Sequence, residues 1–123
     1  MEVRPGGCRF VILCVDDEPI ALLIRQRVLE KAGYEVIPAS SVNQALEILD
    51  TRLIDLVLTD FLMPGKTGAE LAGEVKRRKP DIPVVMISGV HEIPDGLAAD
   101  LFLNKLEGPV YLCERIREVL QEI

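Results

Sequence analysis

Five short apolar runs punctuate the chain: Phe10–Val15, Glu35–Pro38, Ile54–Thr59, Val84–Ser88 and Leu101–Leu103. Three segments within them, Val11–Val15, Leu56–Leu58 and Val84–Ile87, are almost continuously apolar and rich in branched residues. A strand with one wet face alternates polar and apolar positions. Runs without alternation belong to strands covered on both faces, as in a parallel sheet layered by helices.

Helical periodicity fills the intervals. The first helix opens at Glu18-Pro19, where the missing proline N–H is no loss, turns Ile20, Leu23, Ile24 and Val28 inward, and stops near Gly33. A second begins with the capping-box pattern Ser41-Val-Asn-Gln44 and buries Val42, Ala45, Leu46 and Leu49. A third follows Gly68 through Leu71, Ala72 and Val75 and ends before Pro80. The last runs from about Pro109 to the C-terminus with the stripe Leu112, Ile116, Val119, Leu120 and Ile123. Alternating strands and helices predict a doubly wound α/β fold, a five-stranded parallel sheet with helices on both faces. Between Ser88 and Asp100, Gly89, Pro94 and Gly96 leave space only for a short or irregular fourth helix.

A length of 123 residues and 49% hydrophobic content suit a single domain, 1–123, with residues 1–8 a loose lead-in. The net charge of −6 argues against direct nucleic-acid binding, which needs a concentrated basic surface. The basic run Lys76-Arg-Arg-Lys79 is read as a solvated helix end whose cations offset the dipole. Cys8, Cys14 and Cys113 have no regular spacing and imply no disulfide framework, which fits a reducing cytoplasm. Phe10–Val15 is too short for a signal-peptide core or a membrane span, so a cytoplasmic protein without membrane association is expected.

In open α/β sheets the functional crevice lies beyond the carboxyl ends of the strands. Here the strands end in Asp16-Asp17-Glu18, Thr59-Asp60, Ser88-Gly89 and Asn104-Lys105, so carboxylates, a hydroxyl and an ammonium converge on one rim. Crowded carboxylates repel, and a hard dication with oxygen ligands, such as Mg2+, relieves the conflict. A hydroxyl and an ammonium beside it suit a phosphoryl group, whose transfer depends on positioning and charge neutralisation.

The ordered set Asp16-Asp17, Thr59-Asp60-Phe-Leu-Met-Pro-Gly-Lys-Thr-Gly68, Ser88 and Lys105 resembles the response-regulator receiver family of two-component signalling, from about Phe10 to Ile123. The resemblance implies a flavodoxin-like sheet of order 2-1-3-4-5. It also implies that Asp60 accepts a phosphoryl group from a histidine kinase or histidine phosphotransfer protein, with Mg2+ (or Mn2+) as cofactor. Asp17 and Asp60 would bind the ion, Asp16 mainly through water, and Leu62 through its backbone carbonyl. Ser88 and Lys105 would contact phosphoryl oxygens, and Phe102, with Ser88, would hold the switch position. The product would be a phosphoprotein that changes conformation to regulate a protein partner, a signalling switch rather than an enzyme with a separate substrate. Apolar residues two positions after Asp60 and Ser88, Leu62 and Val90, cannot orient a water, so a long-lived phosphoryl state is expected.

Two departures qualify the likeness. Lys105 is followed by Leu106 where most relatives carry proline, so a rearranged turn is expected there, a cis bond costing about 3 kcal/mol without proline. The segment from Ser88 to Lys105 is also shorter than usual. These leave an alternative, a pseudo-receiver that binds protein partners without phosphorylation. Blander readings stand beside each site residue: Asp16 and Asp17 as helix caps, Asp60 as a turn residue, Ser88 bonded to nearby backbone, Lys105 solvated, Phe102 in the core, and His91 a lone loop residue. An aspartyl phosphatase is disfavoured because Leu62 stands where a second aspartate is usual. A flavin-binding protein is disfavoured because Asp16-Asp17-Glu18 would repel its phosphate.

Overall fold

The computed structural model describes residues 9–61, 63, 67–89 and 98–121. Strands β1 (Val11–Val15), β2 (Glu35–Ala39), β3 (Leu56–Asp60), β4 (Val84–Ser88) and β5 (Leu101–Asn104) form one parallel sheet in the order β2-β1-β3-β4-β5. Helices α1 (Pro19–Lys31), α2 (Val42–Thr51), α3 (Gly68–Arg78) and α4 (Gly108–Gln121) connect and cover it. The fold and strand order are those expected. The helix expected between β4 and β5 falls on residues 90–97, outside the described residues, as do the lead-in 1–8, His91 and Ile123.

Side chains alternate faces along each strand, so the apolar runs feed two cores. Leu13 and Val15 join Val57, Val84 and Met86 beneath α2 and α3, whereas Ile12 and Cys14 join Leu56, Leu58 and Val85 beneath α1 and α4. Every residue of β3 and β4 is buried, which is why neither strand alternates.

Local chemistry fixes the helix ends. Glu18 caps α1 by accepting the Ile20 N–H at 3.2 Å, with Pro19 opening the first turn. Gly33, at φ 103°, takes the left-handed turn that releases the chain into β2. Ser41 Oγ accepts the Gln44 N–H at 3.1 Å, and Gln44 Oε1 reaches back to the Ser40 N–H at 2.7 Å, one residue before the cap itself. Thr67 caps α3 through the Glu70 N–H.

The inward faces of α2 and α3 are as expected, and α4 buries Leu112, Ile116 and Leu120. The face of α1 is corrected. Leu22 and Leu29 are its buried residues and Val28 is half-buried, while Ile20, Leu23 and Ile24 are 68%, 50% and 59% exposed. Ile20–Ile24 is apolar all the way round, so periodicity alone does not select a face. Contact with the sheet selects Leu22 and Leu29, two turns apart.

Candidate functional site

The carboxyl ends of β1 and β3 lie side by side, Val15 opposite Thr59, which sets the residues after β1 beside the last residue of β3. Asp16 is held at the end of β1 by its N–H bonded to the Ala39 carbonyl at 3.1 Å. Asp60 ends β3, and the next N–H, of Phe61, bonds the Ile87 carbonyl of β4 at 2.9 Å. Carboxylate oxygens of Asp16, Asp17 and Asp60 lie within 4.8 Å of one another. Asp16 and Asp60 are buried and Asp17 is exposed, so the cluster has two fixed members and one at its mouth.

Each buried carboxylate has a cationic partner. Lys105 Nζ lies 3.0 Å from Asp60 Oδ1, and Arg25 donates to Asp16 Oδ2 at 2.8 Å. Asp16 Oδ1 accepts the Glu18 N–H at 3.0 Å, so Asp16 also braces the entry to α1. Burial pushes the Asp60 carboxyl above the usual carboxylate range. The hydrogen bond and charge of Lys105 oppose that shift, and the Asp16 charge adds to it. Burial likewise pushes the Cys14 thiol up to about 12, with the neighbouring Arg25 guanidinium opposing, so Cys14 is a core residue and no nucleophile.

Close packing behind Asp60 fixes its backbone. Gly68 donates its N–H to the Phe61 carbonyl at 3.0 Å, and a Cβ on Gly68 would stand 2.2 Å from the Asp60 carbonyl oxygen. The Thr59 hydroxyl donates to that same carbonyl at 3.0 Å. Only glycine permits α3 to begin this near the strand end.

The other expected residues fall as follows. Ser88, 3% exposed, ends β4 opposite Asn104, one strand from Asp60. Phe102 pairs with Met86 and packs, partly buried, against the core beneath α2 and α3. Leu62 and Val90 lie outside the described residues. Lys105–Glu107 forms a 3-10 turn that runs directly into α4, and no peptide bond among the described residues is cis. That turn aims Lys105 at Asp60 without a proline after it.

Sequence reasoning missed Arg25. The signal was available: Ala21, Arg25 and Val28 share one side of α1, and a cation stands among apolar residues there.

Three clustered carboxylates form an all-oxygen donor set that fits a hard divalent cation such as Mg2+. An open parallel sheet with that pocket at its strand ends, and a lysine reaching in from beyond β5, defines the class.

The chain belongs to the response regulator receiver domain family, whose sequence model matches residues 12–118. It is 37% identical over 118 residues to the phosphate regulon transcriptional regulatory protein PhoB of Pseudomonas aeruginosa, covering 89% of this chain and 51% of the relative. The alkaline phosphatase synthesis transcriptional regulatory protein PhoP of Bacillus subtilis is 31% identical, covering 89% of this chain and 48% of that protein. The chain thus spans about half the length of these curated relatives. Among solved structures, the response regulator TrrA of Thermotoga maritima in complex with Mg(2+)-BeF superposes with a TM-score of 0.83 at 31% identity, covering 89% of this chain and 97% of that one. A receiver domain from Methanospirillum hungatei gives 0.87 at 28% identity, over 93% of this chain and 95% of that one. Among the described residues no helix is long and apolar enough to cross a membrane.

Proposed function

We propose that this chain, acting as one receiver unit, accepts a phosphoryl group on Asp60 from a phosphohistidine of a histidine kinase or histidine phosphotransfer protein. The observation that carries the reading is the position of Asp60, gathered with Asp16 and Asp17 within 4.8 Å and held by Lys105 at 3.0 Å. An Asp60 carboxylate oxygen attacks phosphorus, the P–N bond breaks, and the imidazole leaves with its electron pair. Lys105 keeps the acceptor ionised and then faces phosphoryl oxygen, while the Ser88 hydroxyl at the neighbouring strand end donates to another. Asp16, Asp17 and Asp60, with the Leu62 carbonyl, would hold Mg2+ or Mn2+, which supplies neutralisation of the phosphoryl charge.

The donor protein approaches over α1. Ile20, Leu23 and Ile24 expose apolar surface on the helix that leaves the acidic pocket, and such a patch beside a reactive site suits a protein partner. Phosphorylation then shifts a two-state balance read through Ser88 and Phe102, regulating a protein effector in the cytoplasm. Leu62 and Val90 favour slow hydrolysis of the acyl phosphate, and loss of the label within seconds sinks that part. The aim of Lys105 weighs against the alternative, a phosphorylation-independent binding module.

The test is incubation with acetyl phosphate and Mg2+, read by intact mass, for wild type and Asp60→Asn. One added phosphoryl group that requires the metal and vanishes in the variant is expected. No adduct on the wild type, with no Mg2+ binding, leaves the binding-module reading in its place.

A further inference from the structure

Arg25 sits where the fold calls for an apolar side chain. It lies on α1 between the buried pair Leu22 and Leu29 and the half-buried pair Ala21 and Val28, its side chain is 12% exposed, and its guanidinium bonds an Asp16 carboxylate that is 1% exposed. A buried ion pair generally adds little stability over a well-packed apolar pair of the same volume, so stability alone does not account for it. Its place does. Arg25 neutralises one member of the three-carboxylate cluster, Asp16, as Lys105 neutralises another, Asp60.

We propose that Arg25 is an internal counter-cation of the phosphoryl site, weakening resting metal binding and favouring the phosphoryl-loaded state. The inference rests on the reading of Asp60 as a metal-assisted phosphoryl acceptor. With Arg25 and Lys105 in place, the three carboxylates carry one uncompensated negative charge. A dication alone overshoots that balance. A dication together with a phosphoryl group, which adds one further negative charge to Asp60, restores it. Without Arg25 the dication alone would achieve neutrality, and the phosphoryl group would bring in an excess negative charge. Arg25 therefore moves the electrostatically favoured composition from metal-loaded to metal-and-phosphoryl-loaded. It contacts Asp16 and not the reacting atoms, so it is a positioning residue.

The signature is a pair of effects of opposite sign. Even with screening close to that of bulk water, a dielectric of about 80, removing a unit positive charge about 6 Å from a dication changes its affinity by about tenfold. Arg25→Met and Arg25→Gln, two neutral replacements of different shape and similar length, are titrated with MgCl2 by calorimetry. They are then titrated with beryllofluoride at saturating Mg2+, after circular dichroism has established folding. Both variants are expected to bind Mg2+ about tenfold tighter than wild type and beryllofluoride several-fold more weakly, while Arg25→Lys keeps wild-type values. Damage to the site weakens both ligands together, so parallel weakening in folded variants overturns the proposal. Unchanged Mg2+ affinity does the same, as does an Arg25→Lys variant that behaves like the neutral ones. Absence of saturable Mg2+ binding by the wild type overturns the phosphoryl-acceptor reading itself and this inference with it.

Discussion

The two edges of the sheet use aspartate in opposite ways. At the amino edge, Asp55 precedes β3 and accepts the Val11 N–H of β1 at 2.7 Å. Asp100 precedes β5, accepts the Val84 N–H of β4 at 2.7 Å, and meets Lys76 Nζ at 2.5 Å. Each carboxylate ties the first residue of a neighbouring strand and is kept apart from its like. At the carboxyl edge Asp16, Asp17 and Asp60 are crowded within 4.8 Å, two of them buried. One edge spends its charges on backbone donors that would otherwise be unpaired; the other concentrates charge that only cations relieve. The amino edge stabilises the sheet, and the carboxyl edge is held in place by stability generated elsewhere.

Gly68→Ala breaks the carboxyl edge most severely. The added methyl would stand 2.2 Å from the Asp60 carbonyl oxygen, and that neighbour is backbone, so α3 or the end of β3 must shift. A loss of about 3 kcal/mol is expected by urea unfolding, the size of a severe steric clash in a packed region. Phosphorylation by acetyl phosphate should fall with it even at temperatures where the variant is folded, because Asp60 is displaced. Wild-type stability in this variant would mean that Gly68 does not fix Asp60.

The amino edge is tested by Asp55→Ala and Asp100→Ala. Each leaves a strand-opening N–H without its carboxylate, which costs about 1 to 2 kcal/mol. Neither variant should alter the extent of phosphorylation, because both lie at the far end of the strands. Destabilisation without loss of phosphorylation separates the two edges cleanly; loss of phosphorylation in either would show them to be coupled.

Most of this arrangement was legible in the chain. Runs without alternation, such as Leu56–Leu58, pointed to strands covered on both faces, and in the structure β3 is buried throughout. The strand-end residues Asp16, Asp60, Ser88 and Lys105 could be placed on one rim because a parallel sheet sends all its carboxyl ends the same way. What was not legible depended on rotation and reach. Ile20–Ile24 is apolar on every side, so the pattern could not orient α1, and Ile20, Leu23 and Ile24 turned outward. The spacing of Arg25 with Ala21 and Val28 was readable, but which way that side of α1 turns follows only from the rotation. The aim of Lys105 depended on the 3-10 turn Lys105–Glu107, and a single unusual residue after the lysine does not encode a turn type. The roles of Asp55 and Asp100 carried no local signal, because their partners lie on strands distant in sequence.

The smallest effect sharpens the comparison through its sign. Asp60 is buried beside another carboxylate, and its folded-state pKa is raised above the ordinary 3.8, burial being the main cause. A carboxyl raised in the folded state lowers stability wherever it is ionised in both states. That loss is recovered as pH falls through the folded value toward 3.8, where the folded state binds the proton first. Asp60→Asn should therefore stabilise the protein by about 1 kcal/mol at neutral pH, the scale of gain seen when an active-site group at odds with its surroundings is removed. Lys105 loses a partner in this variant, but it is 40% exposed and returns to water at little cost. The advantage of the variant should shrink steadily through the acidic carboxylate range. If the acidic cluster holds Mg2+ as proposed, saturating Mg2+ should cut it also at neutral pH, because the ion would stabilise the wild type and find a poorer site in the variant. Measured by urea unfolding across pH with and without Mg2+, an advantage that grows on acidification would mean that Asp60 is stabilised as the anion in the folded state. The carboxyl edge would then resemble the amino one, and the contrast between the two ends of the sheet would fail.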